Sequence, residues 1–488
     1  MIVRLSEYVR LDAVAQAALV AAGELRPAEL EAAAREAVRA VNPAVNAVVE
    51  TWPVDAGPAP DGALAGVPFL IKDIGVTMAG RRMEAGSRLL AGHVAGADSY
   101  LMTRLRRAGL AIFGRTATPE LAYSITTEPM LYGATRNPWD PRRGAGGSSG
   151  GAGAAVAAGM VPIAHATDAA GSLRIPASYN GIFGLKTTRG RVSLGPGFDE
   201  QFSGLAVQGC LSRTVRDSAA LLDQMRGPEP GDPYFAAQPS RPYADEVTRE
   251  PGRLRVGVLA QAWGGRRTTA PVLGALDATA RLLESLGHRV DGAEIALGLD
   301  WADFVLANAR VWAANLAATV DGIAGPSGRP VDATTLEPVT LAGYHYGRQI
   351  GAAEFLAALA MRNQVSRSLA AFFAAHDVLL TPTVPELPPP LGTLAEGAED
   401  LDGVGWIERV FDRSPFTVAF NVAGTPAMSV PAGVDPGTGL PIGMQFAAGH
   451  GREDLLFRLA GQLERAAPWA ARTPVVRAGS APRRTVKH

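Results

Sequence analysis

Two glycine-rich turns carry serines in settings that suit acyl transfer, and a lysine sits at the end of an apolar run. The first turn is Gly146-Gly147-Ser148-Ser149-Gly150-Gly151 and the second is Asp168-Ala169-Ala170-Gly171-Ser172. Small residues let backbone N–H groups converge on one point, where a developing oxyanion can be held. A serine at the tip of such a turn exposes its hydroxyl, as a nucleophile must. A purely structural glycine corner remains open as a reading of either turn. A flexible linker does not fit the apolar, alanine-rich flanks, and a phosphate-binding loop would need Gly-Lys-Ser/Thr at its end. Lys72 follows Val67–Ile71. A lysine there must find an anion or lose its proton, because burial disfavours the charged form. Two readings therefore stand: a strand-end lysine held by Asp73, or a desolvated base.

The elements that would position these residues are short and local. Ala152–Ala158 is alanine-rich and reads as a helix, closed by Gly159. Val161–Thr167 reads as a buried strand. If that strand runs back along the helix, the two serine turns meet. Asp168 and Arg174 flank the second turn and are suited to brace it as an ion pair. Earlier in the chain, Asp12 caps a helix over Ala13–Ala22, and Pro27 opens another that Asn42-Pro43 should end. Ala47–Trp52, Val67–Ile71 and Ala111–Arg115 read as strands, with a helix over Asp98–Ala108. Val54–Gly62, Gly181–Lys186, Thr187–Gly190 and Gly195–Gly197 read as loops, the last three around a cleft mouth. Leu254–Leu259 followed by a helix over Ala270–Leu286 suggests a βα unit on a parallel sheet. Leu299–Asp321 and Ala352–Ala375 are long helical patterns, Val378–Leu380, Pro426–Val430 and Pro441–Phe446 are strands, and Glu453–Arg465 is the last helix.

Composition narrows the class. The chain has 488 residues, 47% hydrophobic and 19% charged, enough apolar material for a large core. Lys plus Arg is 46 against 47 Asp plus Glu, so a net charge of −1 gives no reason to expect nucleic acid or an anionic membrane. With one cysteine, Cys210, no internal disulfide can form, which suits a cytoplasmic location. No signal peptide is legible at the N-terminus, and no apolar run is long enough to span a bilayer. The histidines form no H-x-x-x-H or H-E-x-x-H pattern, so no metal site is expected. No G-x-G-x-x-G follows the first strand, so a dinucleotide cofactor is poorly supported.

Gly66-Val-Pro-Phe-Leu-Ile-Lys72-Asp73, Gly146–Gly151, Asp168-Ala-Ala-Gly-Ser172-Leu-Arg174-Ile-Pro176 and Gly184-Leu-Lys-Thr187 together resemble the amidase signature family. Thr126–Pro129, Gly133–Trp139 and Gly451–Leu456 make the chain most similar to its nylon-oligomer, cyclic-amide-hydrolysing branch. The resemblance covers nearly the whole chain. It implies an α/β fold in which a large twisted mixed β-sheet is covered by helices on both faces. It also implies one catalytic domain over 1–471, with a variable pocket region about 227–376; Arg472–His488, basic and irregular, reads as a disordered tail.

The same resemblance implies a Ser–cis-Ser–Lys triad carried onto Ser172, Ser148 and Lys72, with a cis peptide holding the first serine. Ser172 would be the nucleophile, Ser148 the proton relay and Lys72 the base. The backbone N–H groups of Ala169, Ala170, Gly171 and Ser172 would form the oxyanion hole, and Ser149, Asp168 and Arg174 would support it. Ala170 stands where the common family turn has glycine, as it does in the nylon-type branch. The implied activity is hydrolysis of a carboxylic amide, linear, cyclic or aryl, without cofactor or metal. The expected partners are a small-molecule amide, neither nucleic acid nor membrane, and a second copy of the chain as a candidate homodimer. Alternatives with the same triad are a carbamate or aryl-ester hydrolase and the glutaminase subunit of an amidotransferase; a catalytically dead binding protein is another class. Pocket walls are expected from Ala122–Thr127, Gly195–Gly204 and the helices between Leu299 and Ala375. Tyr123, Phe198, Phe202, Trp301 and Trp312 are candidates for an apolar or aromatic pocket, or for core.

Overall fold

The computed structural model describes residues 4–54, 59 and 61–480. Eleven strands form one mixed sheet: β1 (Val48–Thr51), β2 (Pro68–Lys72), β3 (Ala111–Thr116), β4 (Ile163–Asp168), β5 (Phe183–Lys186), β6 (Val207–Ser212), β7 (Arg255–Val258), β8 (Arg289–Gly292), β9 (Val378–Pro382), β10 (Ala427–Val434) and β11 (Pro441–Ala448). Their order is β1-β3-β2-β4-β6-β5-β10-β11-β9-β7-β8. β2 runs parallel to β3 and to β4, and β7 runs parallel to β8 and β9, so the expected βα unit on a parallel sheet is present. The strands between these two parallel flanks are antiparallel.

The buried residues alternate, as a sheet covered on both faces requires. In β2, Phe69 and Ile71 join the core beneath the helices Tyr100–Arg107, Val215–Met225 and Glu453–Ala466, whereas Leu70 packs on the other side with Pro27–Val45 and Gly150–Ala157. In β9, Val378 and Leu380 face the first core, and Leu379 faces the long helices Trp301–Ser327 and Ala352–Ala375. Lys72 shares the parity of Leu70 and ends its strand. In parallel pairing, the carboxyl ends of β2 and β4 lie side by side, which brings Lys72 and Asp168 to one rim of the sheet, the usual place for chemistry in α/β proteins.

The turn–helix–strand–turn unit forms as the sequence indicates. The helix is Gly150–Ala157, and Gly159 closes it in the left-handed region (φ 77°), donating to Val156 O at 3.1 Å. The strand returns to the start of the helix, and Ser149 N–H donates to Ser172 O at 3.1 Å.

Several expectations are corrected. Phe183–Lys186 is not a loop at a cleft mouth but strand β5 in the middle of the sheet, because Phe183 and Leu185 drive into the core between β6 and β10. The helix from Pro27 continues through Pro43 to Val45; Pro43 is exposed, so the carbonyl it leaves unpaired meets water. Between the two long helical patterns lies a further helix, Pro338–Gly347, which the sequence reading did not include. The segment expected as a disordered tail is held to the body as far as residue 480: Val476 N–H donates to Pro138 O (3.0 Å), Ala478 N–H to Ala158 O (2.9 Å), and Ala478 is buried. Residues 481–488, and most of the loop read at 54–62, lie outside the described residues.

Gly151 shows how tightly the central helix is seated. A Cβ there would lie 2.5 Å from Ala117 N and 2.7 Å from Ala47 O, both rigid backbone. Alanine improves helix propensity by about 1 kcal/mol, whereas overpacking a close contact costs about 1–3 kcal/mol. Gly151→Ala is therefore expected to lower the urea midpoint of unfolding despite the better helix former; a raised midpoint would show that this helix has room to move.

Candidate active site

Lys72 is fully buried, and its partners are hydroxyls. Its Nζ donates to Ser148 Oγ at 2.6 Å and to Thr167 Oγ1 at 2.8 Å. Asp73 does not hold it. That carboxylate accepts from Arg115 Nη1 at 2.6 Å, from Glu84 N–H at 2.8 Å and from Gly86 N–H at 3.1 Å. Arg115 also binds Glu50 at 2.9 Å and Glu84. The strand-end pairing read from adjacency thus gives way to a lysine among neutral groups, because a buried guanidinium claims the neighbouring carboxylate. Burial pushes the Lys72 ammonium well below its ordinary value, and the charge of Asp168 opposes this only in part.

The first serine turn is shaped by two successive left-handed glycines, Gly146 (φ 76°) and Gly147 (φ 58°). Gly147 N–H donates to Ile125 O, and Thr127 Oγ1 donates to Gly147 O at 2.7 Å. Among the described residues the cis peptide is Gly195–Pro196, so the cis bond expected before Ser148 is absent. The two left-handed glycines make the reversal instead. Ser149 ties this turn to β4, its Oγ donating to Thr167 O at 3.2 Å and accepting from Thr167 N–H at 3.3 Å.

The second turn is built around the Asp168 carboxylate. It accepts from Gly171 N–H at 2.8 Å, Leu173 N–H at 3.2 Å, and Arg174 Nε and Nη2 at 2.9 Å each. Arg174 also donates to Thr417 O, Gln445 Oε1 and Asn421 Oδ1, and its side chain is wholly buried. Burial alone would raise the Asp168 carboxyl; Arg174, with Lys186 and Asn421, outweighs it and holds the group far below the usual carboxylate range. Gly171 (φ 123°) is obligatory, since a Cβ would lie 2.5 Å from Thr417 Oγ1. Its N–H is spent on Asp168. The N–H groups of Ala169, Ala170 and Ser172 have no partner among the described residues, although the turn is buried.

The sequence matches the family described as Amidase over residues 28–457. The chain belongs to the amidase signature family. It is 40% identical over 476 residues to the 6-aminohexanoate-cyclic-dimer hydrolase of Paenarthrobacter ureafaciens, covering 95% of this chain and 96% of that one. It is 34% identical over 484 residues to the acylamidase of Rhodococcus erythropolis, covering 95% and 97%. A solved structure of 6-aminohexanoate cyclic dimer hydrolase complexed with substrate superposes with a TM-score of 0.88 at 38% identity, over 96% of this chain and 99% of that one. Like the family, the chain is an amidohydrolase of C–N bonds other than peptide bonds. Among the described residues no helix is long and apolar enough to cross a membrane, and no group of side chains could hold a metal ion.

Several parts of this amidase site were not legible beforehand. Thr167, the second hydroxyl on Lys72, was read only as strand. His165 accepts from Lys72 N–H through Nδ1 (3.3 Å), so its proton lies on Nε2 and is donated to Gln208 Oε1 at 2.7 Å. The parallel register of β2 on β4 is the signal that points to both residues. Of the aromatic candidates, Phe198 and Phe202 line a cleft of about 1060 Å³, and the Phe202 ring lies tilted against Trp312 with centroids 4.5 Å apart. Tyr123 packs behind Trp312, and Trp301 stacks on Phe304 in the core. Of the expected walls, Gly195–Gly204 and the helix from Trp301 contribute, and Leu121 adjoins the third.

Arg174 and Asp168 are each other's neutraliser. Arg174→Met strands a buried carboxylate and is expected to cost about 3–5 kcal/mol in urea unfolding. Asp168→Asn added to it should recover part of that loss; a double variant as unstable as the sum of the singles would show the pair to be uncoupled.

Proposed function

We propose that this amidase works through a seryl acyl-enzyme, with Ser172 as nucleophile, Ser148 as relay and Lys72 as base. The observation that carries the reading is the buried Lys72 amine, in contact with Ser148 and paired to no carboxylate among the described residues. Once the amine is neutral, the 2.6 Å contact also serves in the opposite sense, with Ser148 O–H donating to the nitrogen lone pair. Ser172 attacks the amide carbonyl and passes its proton to Ser148, while the Ser148 proton goes to Lys72. The unpartnered N–H groups of Ala169, Ala170 and Ser172 are the donors for the oxyanion, and one such donor is worth about 2.7–4 kcal/mol. Gly171, also expected in that role, serves by orienting the turn through Asp168.

Collapse of the tetrahedral intermediate breaks the C–N bond. The proton on Lys72 returns through Ser148 to the departing nitrogen, leaving the acyl-serine. Water adds by the same path, its proton taken by the relay and restored to Ser172 as the acid leaves. Amine leaving groups need this protonation more than alkoxides do, so the relay matters more for amides than for esters.

For the substrate we propose an amide larger than glutamine or acetamide. The cleft lies at the upper end of the roughly 300–1,000 Å³ of drug-sized ligand sites. The relatives named above make cyclic amides and acyl amides the first compounds to screen, with anilides beside them because release of the aniline is easily followed. Ser172→Ala is expected to abolish both hydrolysis and labelling by a fluorophosphonate. Lys72→Ala should lose far more amidase than esterase activity, and equal losses would count against the relay.

The pH dependence follows from the direction of the Lys72 shift. The base works deprotonated, so kcat/KM should rise with pH through one ionisation. Its midpoint should lie well below the ordinary lysine value of about 10.4. A profile flat from acid to alkaline pH would exclude Lys72 as the base.

A further inference from the structure

The cleft has one wall that is fixed and one that is bare. Its inner end, at Ile74 and Gly75, lies two and three residues beyond Lys72, and a Cβ on Gly75 would lie 2.7 Å from Cγ2 of Thr167, whose hydroxyl accepts from the Lys72 amine. From there the helix Trp301–Ser327 forms a wall from Asn315 to Pro326, about 16 Å at 1.5 Å per residue. Leu316 is buried, whereas Ala318, Thr319 and Gly322 are exposed, so the helix leads from the closed to the open part of the cleft.

A second lining segment carries Phe202, whose ring lies 4.5 Å from that of Trp312 on this helix. Phe202 and Ser203 are left-handed (φ 49° and 51°), a costly conformation that persists where the surroundings impose it. Three side chains impose it. Arg189 donates to Gly204 O, Arg362 donates to Ser203 O, and Asn315 donates to Ser203 Oγ at 2.8 Å. The outer end is also pinned, since Arg329 donates to Arg88 O at 2.9 Å, Leu89 O at 3.0 Å and Ala91 O at 2.6 Å. The width of the cleft is thus set by polar clamps.

Gly322 needs another explanation. Glycine is a poor choice inside a helix, and here it serves neither a left-handed turn nor a close approach of another element, because a Cβ would meet nothing within 4 Å. What its absent side chain leaves open is the cleft. One turn earlier on the same face, Ala318 does the same with a single methyl.

We propose that Ala318 and Gly322 are specificity-determining residues that keep the cleft open for an elongated, mainly apolar chain on the acyl or amine side of the amide. This rests on the amide-hydrolysing reading above and adds the length of substrate it admits. Larger side chains at these positions shorten the cleft without touching Lys72, Ser148 or Ser172.

The test compares wild type with Gly322→Leu, Ala318→Leu and Gly322→Ala. The substrates are anilides of acetic, hexanoic and decanoic acid, and acetamides carrying matching N-alkyl chains. In at least one series, the ratio of kcat/KM for the longest to the shortest member should fall about tenfold or more in the two leucine variants, the scale of a few methylenes in an apolar pocket. It should fall less in Gly322→Ala. The Tm should not drop in the two Gly322 variants, since leucine and alanine are better helix formers than glycine, and Ala318→Leu should change it little, since leucine ranks next to alanine. Unchanged ratios in both series, or uniform losses together with a lower Tm, would overturn the proposal. Binding of the decanoyl anilide to Ser172→Ala protein, followed by calorimetry, reads the cleft without turnover. There too the leucine variants should bind about tenfold more weakly, and equal affinity would overturn the proposal. Failure of wild type to turn over any member, with that binding difference intact, would instead count against the hydrolytic reading.

Discussion

A lysine amine sealed from water with two hydroxyls for company is the constraint to which the rest of this structure answers. In water an ammonium is cheap; in a dry interior it is expensive unless an anion compensates it. Two carboxylates stand close enough in the chain or in the fold to do so, Asp73 beside it and Asp168 on the adjacent strand. Each is claimed by its own buried arginine, Arg115 for Asp73 and Arg174 for Asp168. The lysine is left with Ser148 and Thr167. Were either guanidinium removed, the freed carboxylate would favour the charged lysine and so the wrong protonation state for a base. The two buried ion pairs are best understood as a means of keeping charge away from Lys72, since such pairs add little net stability by themselves.

The same carboxylate that Arg174 neutralises also sorts the backbone of the second turn. By taking the N–H groups of Gly171 and Leu173, Asp168 fixes which donors are spent and which stay free. Thr417 fastens the turn from the other side through Ala170 O, at 2.6 Å. A buried N–H without a partner costs stability, and here several lie together beside a serine. That concentration is what a site prepared for a transient negative charge looks like before the charge arrives.

Much of this was legible where the determining chemistry is local. Alanine runs, a terminating glycine and glycine-flanked serines announce a turn, a helix, a strand and another turn within some thirty residues, and they fold as such. Phe183–Lys186 was misread because glycine and threonine on either side look like loop, although only the neighbouring β6 and β10 could show that the segment is central. The partnership of Arg115 with Asp73 was invisible for a related reason: it depends on β3 lying beside β2, a pairing that no local pattern encodes. Thr167 and His165 were passed over because a strand residue acquires its role only when a register is assigned. Over 472–480 the expectation of a free tail failed on weak but specific contacts, the N–H groups of Val476 and Ala478 on the body. The cis bond expected before Ser148 came from resemblance, and the two left-handed glycines do that work in this chain.

His165 bears on why the proposed base is a lysine. A histidine stands next to Lys72, yet its two ring nitrogens are occupied by Lys72 N–H and Gln208, and burial brings its pKa down to about 4. An imidazole with that pKa is too weak a base to take a serine proton near neutral pH. The same burial acts on a lysine in the same direction from a starting point of about 10.4, and so favours the neutral amine that a base must present. Desolvation that disables one residue therefore tunes the other. The neutral histidine, fixed by Gln208, accepts the Lys72 N–H without adding a charge beside the amine.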